Sequence, residues 1–159
     1  MKAVTVKELK TELKNRSHNE LLEICLHFSK FKKENKELLT YLLFESENEE
    51  EYISAIKSEI DVQFHQIITR SNSTTIKGVR KILRIVKKDI RYSKNKITEI
   101  ELLLYFSERL KDFINPRKHL YVLKNVYNRE LEAIKKKIAK LHPDLQYDYE
   151  LRLEELGFL

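Results

Sequence analysis

Asp61 and His65 lie four residues apart, a spacing that puts both side chains on one face of a helix and supplies two potential metal ligands. A zinc site takes three or four ligands, and none of His18, His27, His119 and His142 sits in a ligand pair. The Glu-x-x-His pattern of di-iron bundles is absent, because Val62 stands three residues before His65 and Pro116 three before His119. Cys25 is the only cysteine, so no internal disulfide can form. On a helix His27 would point away from Cys25, which leaves the thiol without the adjacent cation that activates a nucleophilic sulfur. Metalloprotease, nucleophile-elbow and P-loop signatures are all missing. The expectation is no catalytic residue, no metal and no cofactor. Cys25 reads as a small buried hydrophobe on a helix face, and Asp61 with His65 as a surface pair.

Charge is distributed more informatively than catalytic groups. Over residues 76–91, Ile76, Val79, Leu83, Val86 and Ile90 recur at helical spacing and form one stripe, widened by Ile82 and Ile85. Lys77, Arg80, Lys81, Arg84, Lys87, Lys88 and Arg91 fill the remaining arc, and Asp89 is the only acid. Like charges at four-residue spacing oppose each other by a few tenths of a kcal/mol per pair. An anion that offsets this repulsion is therefore expected, and these seven residues are the candidate binding set. Two acidic regions of the same chain could supply it. One is Glu45, Glu47, Glu49, Glu50, Glu51, Glu59 and Asp61; the other is Asp144, Asp148, Glu150, Glu154 and Glu155. Phosphates of nucleic acid or an acidic protein surface are the external alternatives. Ser73, Thr74 and Thr75, ahead of Lys77, could seat a small anion, although helix capping explains them equally well.

The elements that carry these residues all read as helices. Two glycines and two prolines in 159 residues leave few tight turns for a β fold. Thr5-x-x-Glu8, Ser17-x-x-Glu20 and Ser46-x-x-Glu49 are capping-box patterns. They predict helices over about 6–15, 18–28 and 47–69, with a further helix over 32–44 between the last two. Val6, Leu9, Leu13, Leu21, Leu22, Ile24, Cys25, Phe28, Leu38, Leu39, Leu42 and Leu43 are expected to face inward. After a loop at 70–73, Thr74 or Thr75 caps a helix to residue 93, and Asn95-Lys96 breaks before another that reaches residue 114. Asn115-Pro116 predicts a helix start, with Asn as cap and Pro in the first turn, and the helix runs to residue 141. A last short helix over 144–156, docked through Leu145 and Tyr149, ends at Gly157 in a left-handed conformation.

The sequence thus predicts an all-α antiparallel multi-helix bundle or irregular α-α array of about eight helices: three short N-terminal, four long and one short C-terminal. It reads as one domain over 1–159, with residues 1–45 open to reading as an N-terminal lobe beside a long-helix bundle over 46–159. Charged residues make up 35% of the chain and the formal net charge is +6, which biases it toward anionic partners. The longest apolar run, 102–106, is too short to span a bilayer, and no secretory leader pattern opens the chain. A cytoplasmic location without membrane association is expected.

The stretch Val4-Thr-Val-Lys-Glu-Leu-Lys-Thr-Glu-Leu-Lys-Asn-Arg16, followed by Asn19-Glu-Leu-Leu, resembles the SAP-type DNA-binding motif over about 20 residues. Ser17-His18 stands where that family has a glycine-containing loop. Over its length the chain also resembles a family of uncharacterised bacterial all-helical proteins. Glu8-Leu9-Lys10, residues 32–37, Val79-Arg80-Lys81 and the segment Leu141-His-Pro-Asp-Leu-Gln-Tyr-Asp-Tyr149 carry that likeness. It implies a stand-alone cytoplasmic protein and transfers no functional residue.

Three functions are open at this point. The first is a non-enzymatic binding or scaffolding module acting through charged helix faces, with an acidic protein surface or another copy of itself as partner. The second is a nucleic-acid-binding protein using helix 76–91. An enzyme or metalloprotein with no recognisable motif is the third, and no small-molecule substrate is evident.

Overall fold

A computed structural model describes residues 2–117 and 119–158. Among them are eight α-helices, one π-helical turn and no strands, so the fold is all-α. Contacts divide the chain into two compact units, residues 1–44 and 45–159.

The first unit contains α1 (Val6–Lys14), α2 (His18–Phe31) and α3 (Lys33–Thr40), followed by a π turn, Tyr41–Glu45, whose last residue opens the second unit. The capping boxes at Thr5 with Glu8 and at Ser17 with Glu20 both form, which ties the entry of α1 and α2 to their sequence signals. Lys32 takes an extended conformation between α2 and α3, and Asn35 donates to the Phe28 carbonyl across that corner. The expected burial fails here. Tyr41 is the only buried residue of this unit among those described, whereas Val6, Leu9, Leu13, Leu22, Ile24, Cys25, Phe28, Leu42 and Leu43 are exposed. Helices this short carry one apolar stripe each, and three such stripes over so few residues leave most of their surface facing water. The helix expected to run to residue 44 widens into the π turn instead.

The second unit is built around α6 (Lys96–Ile114). Its run Ile100, Leu102, Leu103, Leu104 and Phe106 is apolar on nearly every side and fully buried, as expected of a helix surrounded by others. α4 (Glu49–His65), α5 (Asn72–Ser93), α7 (Tyr121–Ile138) and α8 (Pro143–Leu156) all pack on it. α4 contributes Ile56, Ile60 and Phe64; α5 contributes Val79, Ile82, Leu83, Val86 and Ile90; α7 contributes Leu123, Tyr127, Leu131 and Ile134.

Several expected boundaries move for identifiable reasons. The Ser46–Glu49 box does not form: Asn48 caps α4, accepting from Glu51 N at 3.2 Å, and the Glu49 carboxylate instead accepts from Ser93 Oγ and Thr98 Oγ1 at the α5–α6 junction. α4 ends at His65, short of residue 69. Ser71, not Thr74 or Thr75, caps α5, with Thr74 completing the box. Asn115-Pro116 forms a turn that ends α6, and α7 begins later, at Tyr121; Lys118 lies outside the described residues. Pro143 instead occupies the first turn of α8, behind the His142 cap. Tyr149 docks as expected while Leu145 stays exposed. Gly157 ends α8 at a positive φ of 58°, but its ψ of 159° puts it outside the left-handed helical conformation expected there.

Candidate anion-binding groove

α5 is amphipathic because its apolar residues sit at three- and four-residue spacing, so burying them on α6 and α4 leaves the cations outside. Arg80, Arg84, Lys87 and Arg91 form one wall of a groove of about 720 Å³. Arg129, Glu130, Ala133 and Lys137 of α7 form the other wall. Leu83, Ile90, Leu103 and Glu99 also line the groove.

Two lysines of the groove are held by acids inside it. Lys87 Nζ lies 2.6 Å from Glu130 Oε2, and Lys137 Nζ lies 2.7 Å from Glu99 Oε1. Glu130 is only 1% exposed, and its Oε2 has an ion pair with Lys87 but no hydrogen bond. Arg129 reaches the other oxygen, Oε1, at 3.3 Å from the solvent side. Arg80, Arg84 and Arg91 are exposed and have no partner among the described residues. The groove therefore presents arginine forks, whose planar donors match carboxylates and phosphates two bonds at a time.

The other members of the sequence set fall elsewhere. Lys77 and Lys81 are exposed but do not line the groove. Lys88 turns aside, 3.7 Å from the Asp89 carboxylate and 5.7 Å from the Tyr92 ring centroid. Neither acidic region reaches the unpaired arginines. Asp61 pairs with Arg109 at 2.8 Å and accepts from the Tyr105 hydroxyl at 2.6 Å. In the C-terminal region Arg152 binds Glu101 and Glu108 of α6. Two hydroxyls of the suggested small-anion seat are engaged by the chain itself: exposed Thr74 closes the capping box and buried Thr75 donates to the Ser71 carbonyl.

Sequence reasoning missed the α7 wall. One signal for it was present: Glu130 sits in register with Leu123, Tyr127, Leu131 and Ile134, a carboxylate on an otherwise apolar face. A charge in that position is expected to find a cation from a neighbouring helix.

The metal reading loses its geometry. His65 Nδ1 lies 2.7 Å from the Asp61 backbone carbonyl, while the Asp61 carboxylate faces Arg109. Among the described residues no group of three or more His, Cys, Asp or Glu side chains could hold a metal ion, and no helix is long and apolar enough to cross a membrane. Compared with family models, curated proteins and solved structures, the chain matches none.

Proposed function

We propose that this protein is a binding module that holds an anionic macromolecular partner against the basic face of α5. One observation carries the reading: Arg80, Arg84 and Arg91 line a groove, exposed and without a partner among the described residues, although the same unit carries acids that could have neutralised them. A face needed only for solubility would more often mix signs, since uniform charge repels itself.

Fluorescence anisotropy with a labelled polyglutamate peptide and, separately, a labelled DNA duplex tests it. Affinity for the peptide that weakens with salt, and that Arg80→Glu with Arg84→Glu abolishes, is the expected result. Binding to duplex alone, with a loss of about 10³-fold or more between roughly 50 and 200 mM salt, would transfer the face to nucleic acid. Binding to neither at low salt would end the proposal.

A further inference from the structure

The arginine wall has a counterpart on the same unit. Arg80, Arg84, Lys87 and Arg91 stand at relative positions 0, 4, 7 and 11, which on an ideal helix fall within about 60° of arc and along ~17 Å of axis. α8 repeats that spacing with Asp144, Asp148, Leu151 and Glu155, all exposed. Asp148 and Glu155 have no side-chain partner among the described residues, and Asp144 meets only His142, at 3.3 Å. The unit thus carries unpaired arginines on one helix and unpaired carboxylates on another, in the same geometric pattern.

We propose that a second copy of this chain occupies the groove, laying the acidic stripe of its α8 along α5 in parallel register. This rests on the reading of the α5 face as a binding surface and names its partner. Asp144 then faces Arg80, Asp148 faces Arg84 and Glu155 faces Arg91. Leu151, the one uncharged member, falls opposite Lys87, the one cation already engaged, by Glu130. The antiparallel register is worse: it sets Leu151 against unpaired Arg84 and brings Asp148 to Lys87, beside the Glu130 carboxylate. The chain's own α8 is committed elsewhere. Tyr149 and Leu156 bury its other side, and Arg152 ties it to Glu101 of α6 at 2.6 Å. Because groove and stripe are different surfaces, the pairing closes as a reciprocal two-fold dimer or continues head to tail.

Sedimentation velocity of the full chain, over a range of protein and salt concentrations, reads this directly. Self-association that salt weakens is expected, and Arg84→Glu and Asp148→Arg should each weaken it on the order of tenfold or more, since like charges then face each other. The chain carrying both substitutions should regain it, an outcome that general damage to the fold would not produce. A monomer under every condition overturns the proposal, as does self-association indifferent to both reversals. If that monomer still binds polyglutamate through Arg80 and Arg84, only the choice of partner has failed; if it binds no anion, the reading of the face has failed with it.

Discussion

Lys87 Nζ lies 2.6 Å from Glu130 Oε2, joining α5 to α7 across the groove through a carboxylate that water barely reaches. The two partners are unequal, because Lys87 stays half-exposed while Glu130 is enclosed. Deleting them should therefore have unequal effects. Lys87→Met leaves a buried carboxylate with only Arg129 at its outer oxygen and should destabilise by about 2 kcal/mol, less than the ~3–5 kcal/mol of a fully buried pair because the lysine was half in water. Glu130→Met removes the buried charge itself and should be near neutral or stabilising. Urea unfolding of both variants checks the asymmetry; equal losses would contradict it.

Glu101 ties three helices, meeting Lys57 of α4 at 2.8 Å and Arg152 of α8 at 2.6 Å. Burial alone would raise its pKa, but the hydrogen bonds from Lys57 and Arg152 outweigh it and hold the carboxyl below its ordinary value of 4.5. A folded-state pKa below the unfolded one means the stabilisation is present above pH 4.5 and disappears as pH falls from there through the lowered folded value. Glu101→Gln should lower stability at neutral pH by about 2 kcal/mol and flatten the acid limb of a plot of stability against pH. An unchanged acid limb in the variant would show that other carboxylates govern it.

Tyr127 is fully buried, with its hydroxyl donating to the Leu156 carbonyl at 2.9 Å, and burial pushes its pKa up to about 12. A raised folded pKa contributes stability in full below pH 10 and loses it as pH climbs from 10 toward 12. Tyr127→Phe keeps the ring while removing the group that ionises, so the alkaline decline in stability should become shallower. Thermal unfolding between pH 8 and about 12 measures this.

Lys94 ends α5 with φ at 55°, the only non-glycine residue at positive φ among those described. A side chain is strained in that region and glycine is not. Lys94→Gly should stabilise the chain by about 0.5–1 kcal/mol, the strain relief being partly offset by the greater freedom of glycine when unfolded. A lower urea midpoint in the variant would refute this.

Cys25 lies beside Phe28, Leu38 and Leu42 on an open apolar trough of about 300 Å³ in the first unit. An exposed thiol should titrate fully with an aromatic disulfide reagent before any denaturant is added. A requirement for denaturant would mean that the trough is covered in solution.

What the sequence determined by itself was local. Periodicity and capping chemistry act within one turn, so the helical class, the boxes at Thr5 and Ser17, the break at Asn95 and the stop of α8 at the positive-φ Gly157 could all be read from neighbouring residues. The apolar stripe of α5 was legible for the same reason, and with it the cationic arc. Where another helix competed for a side chain, local reading failed: Glu49 left its expected cap for Ser93 and Thr98, hydroxyls 44 and 49 residues away. The same limit hid the groove. An amphipathic pattern marks which face seeks cover without saying what covers it, so Cys25 and Phe28 carry a core-like pattern and are exposed. Only the packing of α7 against α5 and α6 could decide that Lys87 meets Glu130 while Arg80, Arg84 and Arg91 meet no acid among the described residues. Those pairings depend on distances between segments far apart in the chain, and no spacing along a single helix encodes them.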